Sequence, residues 1–281
     1  MKGYFVLFFL TIALLFTSNA LIAQQLIFQW ETDSVFKIPE STLFFSTKNL
    51  IYVSNIDGKS SGKDSTGFIS TLYTTGEIKQ LHWVDGLNAP KGMSIVKNKL
   101  FVSDINQVAI FNIETGTLEK NYLAPAAKFL NDVCSDGKGN VFISDMLDKT
   151  IYKIENGVLA KWLVDDAFEN INGLYYYDGD LYVGTKNAIL KINATQKTIV
   201  IWASNTGSID GLEWDGRQGF IFSDWQGHIY HVKQGLKPVL LLDTTDKKMN
   251  AADIGYNIKD QMLYVPTFLN NRVVAYKFSF E

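Results

Sequence analysis

Residues 209–230 have the sequence IDGLEWDGRQGFIFSDWQGHIY. The stretch combines a polar opening, an Asp-Gly turn and an apolar run that ends in Ser223-Asp224. An Asp-Gly pair between apolar runs is typical of a β-hairpin, because Gly accepts the positive φ angle that the turn needs. The stretch therefore predicts two antiparallel strands, with the Ser-Asp pair at the end of the second.

A similar pair ends an apolar run six times along the chain. The six pairs are Ser54-Asn55, Ser103-Asp104, Ser144-Asp145, Gly184-Thr185, Ser223-Asp224 and Pro266-Thr267. Their second members lie 39 to 49 residues apart, and no long helical pattern separates them. A period of about 40 residues built from short strands is typical of a β-propeller, so the sequence predicts an all-β fold with six blades.

The sixth repeat ends at Glu281 after only its third strand. Residues 25–30, QLIFQW, resemble a strand and precede the first blade. We expect them to pair antiparallel with residues 273–280, because this closes the ring and removes an exposed sheet edge. Residues 57–66, DGKSSGKDST, lengthen the first blade and predict a solvent-exposed hairpin tip.

Residues 1–23 are predicted to be a signal peptide, which leaves residues 24–281 as the propeller domain. Lys2 is followed by an apolar run from Tyr4 to Phe16 and then by small residues suited to cleavage. The run is short for a membrane span. We therefore expect a secreted or periplasmic protein with no stable membrane insertion after cleavage.

Charge and cysteine content narrow the class of partner. The chain has a net charge of −3 and no basic cluster, which argues against nucleic acid. Its single cysteine, Cys134, excludes an intramolecular disulfide. We expect a monomer that binds a small molecule.

A set of polar residues opens the innermost strands of the repeats. The first residues of these strands, in blade order, are Glu40, Lys91, Asn131, Asn172, Asp210 and Ala252. Equivalent positions of a propeller form a ring around the axis, so these side chains should converge at one mouth of the channel. Two carboxylates in one narrow channel repel each other unless a cation lies between them.

Carboxylate and amide oxygens are hard ligands. Glu40, Asn131, Asn172 and Asp210 therefore predict a divalent-cation site, with Ca²⁺ as the first choice and Mg²⁺, Mn²⁺ or Zn²⁺ as alternatives. The simpler alternative, that these residues only cap turns at the strand entrances, stays open.

The chain resembles the SMP-30/gluconolactonase/luciferin-regenerating-enzyme family of six-bladed propellers. The resemblance covers essentially all of residues 24–281, through IPESTLFFSTKNLIYVSNIDG, LNDVCSDGKGNVFISDM, INGLYYYDGDLYVGT and the stretch quoted first. It implies that Glu40, Asn131, Asn172 and Asp210 bind the cation and that the protein hydrolyses a lactone or related ester. Similar strands occur in NHL-repeat and strictosidine-synthase-like propellers.

One position departs from the family pattern. Members that act on aldonolactones carry an arginine two residues before the first asparagine ligand, and here that position is Phe129. Lys91 is a candidate replacement cation, so Phe129 and Lys91 are candidate substrate-binding residues; a solvated Lys91 is the alternative. We expect little activity on gluconolactone and a preference for less polar lactones or esters, and we expect Phe129→Arg to improve the handling of sugar lactones.

The resemblance implies metal-assisted chemistry, and nothing in the sequence supports a nucleophilic triad. Asp210 is the candidate catalytic residue, as the general base that takes a proton from water. No G-x-S-x-G nucleophile elbow is present, because the match at residues 58–62, GKSSG, lies in a polar loop with no helical pattern after it. Two of the three histidines, His228 and His231, lie three apart in one strand and so face opposite sides. We expect each histidine at the surface or between blades. A non-catalytic ligand-binding propeller with a structural or ligand-bridging metal is the alternative function.

Overall fold

A computed structural model describes Met1 and residues 24–280 of the chain. Residues 24–280 form six four-stranded antiparallel sheets, which are the blades of a six-bladed propeller, as predicted. The predicted signal peptide lies outside the described residues, apart from Met1, and stays a prediction. In the described part of the chain, no helix has the length and apolar character needed to cross a membrane.

Each of the first five blades is built from four consecutive strands. Blade 1 contains β2 (Pro39–Phe45), β3 (Leu50–Asn55), β4 (Gly67–Tyr73) and β5 (Ile78–Leu87), and blade 2 contains β6 (Pro90–Val96), β7 (Lys99–Asp104), β8 (Gln107–Asn112) and β9 (Leu118–Leu123). Blade 3 contains β10 (Leu130–Ser135), β11 (Val141–Asp145), β12 (Thr150–Glu155) and β13 (Val158–Val164), and blade 4 contains β14 (Leu174–Tyr177), β15 (Asp180–Gly184), β16 (Ala188–Asn193) and β17 (Ile199–Ser204). Blade 5 contains β18 (Leu212–Trp214), β19 (Gly219–Ser223), β20 (His228–Lys233) and β21 (Val239–Asp243).

The sixth blade joins the two ends of the domain. It contains β22 (Gly255–Asn257), β23 (Met262–Pro266), β24 (Val273–Ser279) and, as its outer strand, β1 (Gln25–Glu31). The pairing of β1 with β24 is antiparallel and runs from Gln25 opposite Ser279 to Glu31 opposite Val274. This confirms the predicted closure of the ring. Two single 3₁₀ turns, Thr245–Lys247 and Phe268–Asn270, are the helical elements of residues 24–280.

Two of the four serines in the repeated pairs, Ser103 and Ser223, connect neighbouring inner strands. Ser223 Oγ accepts a hydrogen bond from Gly211 N at 2.9 Å and donates one to Ala252 O of the next blade at 2.7 Å. Ser103 Oγ likewise donates to Asn131 O of the next blade. A hydroxyl both accepts and donates, so one small side chain can satisfy backbone groups of two blades at once.

The serine contacts accompany a bulge at the start of the inner strands. The pairing register shifts between Pro39 and Ser41, and between Leu130 and Val133. In blades 4 to 6 the regular ladder begins later than the sequence indicated, at β14, β18 and β22. These bulges contain predicted site positions. Because the backbone is irregular there, the side chains need not alternate between the two faces of the sheet as they do in a regular strand.

The glycine after a site residue allows the inner strands to approach each other. A Cβ atom on Gly92 would lie 2.5 Å from Asp132 Cα, and one on Gly211 would lie 2.4 Å from Ile254 N. Both contacts are with the next blade and are too short for real atoms. Glycine is therefore required at these positions by packing around the axis rather than by its backbone angles.

We expect removal of residues 24–31 to prevent stable folding, because it leaves β24 as an unpaired edge and removes Trp30, which donates to Thr74 O and packs on Tyr264. Thermal unfolding and size-exclusion chromatography measure the effect. The matched control is Phe28→Ser in the full chain, since that side chain is 56% exposed. A truncated protein that melts like the full domain would show that the ring does not need its closing strand.

We expect Ser223→Ala to lower the free energy of unfolding by about 2 kcal/mol or more, because Gly211 N and Ala252 O then lose a buried partner. Ser61→Ala, in the exposed loop of residues 57–66, should change it by less than about 0.5 kcal/mol. Urea unfolding of both variants makes the comparison. Equal changes in the free energy of unfolding would show that the Ser223 hydroxyl does not stabilise the contact between blades.

Candidate functional site

A cavity of about 740 Å³ lies at the mouth of the propeller where the inner strands begin. All six predicted site residues line it: Glu40, Lys91, Phe129, Asn131, Asn172 and Asp210. They come from the first five blades, so the repeat brings together residues that are far apart in sequence. Ala252, the equivalent residue of blade 6, is fully buried, and Phe268 of the same blade lines the cavity instead.

Two carboxylates and an amide form the polar part of the cavity. Asn172 Nδ2 donates to Asp210 Oδ1 at 2.7 Å, which fixes the amide so that its oxygen is the uncommitted atom. Asn172 Oδ1 and Glu40 Oε2 are both buried and have no hydrogen-bond partner among the described residues. Buried polar atoms are normally paired, so two orphaned acceptors in one cavity indicate that a donor or a cation belongs there.

Burial and mutual repulsion act on the acidic groups. Burial, followed by the charge of Asp210, raises the pKa of Glu40 well above its usual value. Burial also raises the pKa of Asp210 to about 7, against the opposing hydrogen bond from Asn172. The charged forms of both carboxyl groups are therefore disfavoured, and a nearby positive charge would favour them.

Asn131 completes the predicted set. Its side chain lines the same cavity, and its Nδ2 lies 3.6 Å from Met146 Sδ. Across the described residues, no three His, Cys, Asp or Glu side chains form a group that could hold a metal by themselves. The candidate ligand set instead depends on amide oxygens, which suit hard cations.

Lys91 is buried rather than solvated, with 1% of its surface exposed. Its ammonium group donates to Ala89 O and to Ser60 O, both at 2.9 Å, and lies 4.4 Å from the centre of the Phe129 ring. Burial lowers the pKa of Lys91, and the charge of Glu40 opposes this. Lys91 therefore ties the exposed loop of residues 57–66 to the cavity, and its donors are largely committed within the protein.

Phe129 is positioned by the acidic member of a repeated pair. Its backbone N donates to Asp145 Oδ1 at 2.9 Å, and Lys128 N donates to Asp145 Oδ2 at 2.8 Å. The ring then faces the Lys91 ammonium, a favourable cation–π arrangement. An arginine at position 129 would place a second cation at this point, so the improvement expected for sugar lactones depends on the removal of Lys91.

Sequence reasoning missed several residues that line the cavity. Four of them come directly after a repeated pair: Ile56, Met146, Trp225 and Phe268. Their shared position directly after a pair is the feature of the sequence that could have identified them as cavity residues. Trp225 is also 47% exposed, so it is not buried between blades.

The sequence also gave no indication that His228 belongs to the cavity. It lines the cavity, and its Nδ1 lies 2.8 Å from Asp224 Oδ2, while its Nε2 lies 3.7 Å from Asp243 Oδ1. Carboxylates therefore lie near both ring nitrogens. His231, on the opposite face of the same strand, is buried and contacts Asp215 at 2.8 Å, in agreement with the expected separation of the two rings.

We expect Phe129→Arg to destabilise the protein and Lys91→Met to relieve most of that loss, because the two cations would otherwise share a buried space. A double-mutant cycle in urea should give a coupling free energy of at least about 1 kcal/mol. Phe129→Leu is the control, since it removes the ring without adding charge. Additive effects of the two changes would mean that the side chains do not interact.

Comparison with known proteins supports the architecture. No family model and no curated protein matches the chain. A chain in the crystal structure of a nidogen/laminin complex is similar, with a TM-score of 0.66 and 13% sequence identity over 78% of this chain and 84% of that one. At this identity the likeness shows the fold alone. Because 1262 solved chains match, the fold does not single out one activity.

Proposed function

We propose that the protein is a divalent-cation-dependent hydrolase of lactones or related esters, similar in its site to the SMP-30/gluconolactonase family. The observation that carries the proposal is the pair of orphaned buried oxygens, Glu40 Oε2 and Asn172 Oδ1, in one cavity with Asp210. A ligand that only accepts hydrogen bonds would leave them unpaired. A cation satisfies both.

The donor set fits a hard cation. Glu40, Asn131, Asn172 and Asp210 supply carboxylate and amide oxygens, which are the ligands that Ca²⁺ and related ions take. A cation would also favour the charged forms of Glu40 and Asp210, whose pKa values are raised by burial. When bound, it supplies Lewis-acid polarisation of a substrate carbonyl.

Asp210 is the proposed general base. Burial raises the pKa of this carboxyl, and a bound cation would oppose that rise, so Asp210 would be charged at neutral pH and able to accept a proton. Asn172 holds it through Oδ1 at 2.7 Å, so Oδ2 accepts the proton from the attacking water. Water oxygen bonds to the carbonyl carbon, the acyl carbon–oxygen bond of the ring breaks, and the proton passes to the leaving alkoxide to give a hydroxy acid.

The walls of the cavity favour a substrate that is not heavily hydroxylated. Phe129 offers a ring where a polyhydroxylated lactone would need a donor, and the ammonium of Lys91 is engaged with two backbone carbonyls. Substrate hydroxyls that lose water without gaining a partner weaken binding. We therefore propose less polar lactones or esters as the substrate class.

The cation site is tested first by stability. We expect saturating Ca²⁺, Mg²⁺, Mn²⁺ or Zn²⁺ to stabilise the wild-type protein, by about 2.7 kcal/mol at one hundred times the dissociation constant. Glu40→Gln should abolish this gain. Without cation, stability of the wild type should fall as the pH rises above 4.5, because the folded protein holds the Glu40 proton more tightly than the unfolded chain.

The fall in stability with rising pH should be smaller in Glu40→Gln but not abolished, because Asp210, whose pKa burial raises to about 7, still contributes to it. The cation-free variant should be at least as stable as the wild type at pH 8. A purely structural glutamate would instead lose stability in both conditions. Glu114→Gln, whose side chain is 62% exposed, is the matched control and should retain the cation response. A cation gain that survives Glu40→Gln would refute the site.

Activity is tested by a screen over lactones and aryl esters with each cation. Asp210→Asn should lower kcat about 100-fold or more, whereas Asp166→Asn, on a fully exposed side chain, should have no effect. Cation binding without turnover of any substrate would favour a non-catalytic ligand-binding propeller. Unchanged turnover in Asp210→Asn would show that another group is the base.

A further inference from the structure

Two aromatic side chains, Trp225 and Phe268, line the same cavity as Glu40 and Asp210. We propose that Trp225 and Phe268, which we call the aromatic pair, bind an apolar arm attached to the reacting ring, so that the preferred substrates are alkyl- or aryl-substituted lactones. This rests on the proposed function for the ring end of the ligand. It adds a second subsite, with its own residues, for the other end.

The cavity is larger than a bare lactone ring needs. Its volume of about 740 Å³ falls within the range of roughly 300–1,000 Å³ that encloses drug-sized ligands. The polar oxygens come from the starts of the inner strands or, for Asn172 and Asp210, from residues just before them, whereas the aromatic pair follows the repeated pairs of blades 5 and 6. A ligand that fills this space has a polar end at the channel and an apolar end at the rim.

The two rings are held as one unit. Their centres lie 5.6 Å apart with an angle of 78° between planes, which is a favourable edge-to-face arrangement. The buried side chain of Asn250 links their loops, because it donates to Trp225 O at 2.8 Å and accepts from Leu269 N at 3.4 Å. Such a surface is formed before any ligand arrives, so little ordering is lost on binding.

The support beneath Phe268 is strained. Phe268 packs on a small apolar cluster that contains Ile56 and Ile105, with Ile38 against it. Phe268, Ile38 and Ile105 have φ angles of +47°, +53° and +60°, a region that bulky and β-branched residues rarely adopt. Strain of this kind persists where the surrounding structure imposes it, and it concentrates at functional sites. Here it presents an aromatic ring to the cavity.

Trp225 extends the apolar surface to solvent. It is 47% exposed, while the other five tryptophans are buried or half-buried. An arm that covers its ring would remove apolar surface from water on both partners, which is favourable. Trp225 therefore also provides a spectroscopic signal for occupancy of the subsite.

The test uses two homologous series. The first is γ-butyrolactone and its γ-alkyl derivatives from methyl to hexyl, assayed for kcat/KM with the activating cation. The second is the matching 2-alkylcyclopentanones, which cannot be hydrolysed and whose binding is followed by Trp fluorescence and calorimetry. We expect a gain of about three- to fourfold per methylene in kcat/KM and in affinity, until the arm passes the Trp225 ring.

Trp225→Ala and Phe268→Ala should reduce the gain to below about twofold per methylene. Trp225→Phe should keep most of the gain but lose the fluorescence shift. Asn250→Ala, a change in a positioning residue, should weaken long-chain ligands more than γ-butyrolactone. Tyr73→Ala removes an aromatic side chain that is 41% exposed and outside the cavity lining, and it should behave as wild type.

The outcomes separate this inference from the proposed function. Hydrolysis with no dependence on chain length overturns the aromatic subsite and leaves the hydrolase. Binding of cyclopentanones that strengthens with chain length and is lost in Trp225→Ala supports the subsite even if no lactone is turned over. Chain-length dependence that persists in both Trp225→Ala and Phe268→Ala would place the arm elsewhere and overturn the proposal.

Discussion

The structure depends on a serine hydroxyl that is shared between neighbouring blades. Ser223 Oγ satisfies the backbone of its own blade at Gly211 N and the backbone of the next blade at Ala252 O. Without that hydroxyl, the start of the inner strand would bury unpaired backbone groups. Ser103 makes the same kind of contact between blades 2 and 3, where it donates to Asn131 O. In these blades the repeated serine therefore holds the backbone at or beside a residue of the site, Asp210 or Asn131.

Concentration of polar groups at the axis creates an electrostatic conflict. Glu40 and Asp210 are buried in the same cavity, and two oxygens there have no partner among the described residues. Lys91 does not resolve the conflict by direct contact, because its ammonium donates to Ser60 O and Ala89 O. A site with unpaired acceptors and raised carboxyl pKa values is less stable empty than filled. This imbalance is the physical basis for the proposed cation.

The apolar side of the cavity has a different origin. It is built from residues that follow the repeated pairs, such as Ile56 and Trp225, and from the strained loop at Phe268. These side chains belong to the loops and not to the strands, so they can vary without changing the blades. The residues at the starts of the inner strands thus supply the polar groups of the proposed site, and the loops determine which molecules can bind there.

The six blades, the closing strand and the set of residues at one mouth of the channel can all be predicted from the sequence. This is possible because repeat period and register decide which positions face the axis, and these are local properties of each strand. Glu40, Asn131, Asn172 and Asp210 line one cavity for this reason.

The surroundings of four cavity residues become visible only in the folded protein: Lys91, Trp225, Phe268 and His228. One partner of Lys91, Ser60 O, lies in a loop that the other blades lack, and the aromatic pair depends on contacts between blades 5 and 6. Such contacts follow from how non-repeating loops pack over the ring, which no period in the sequence encodes.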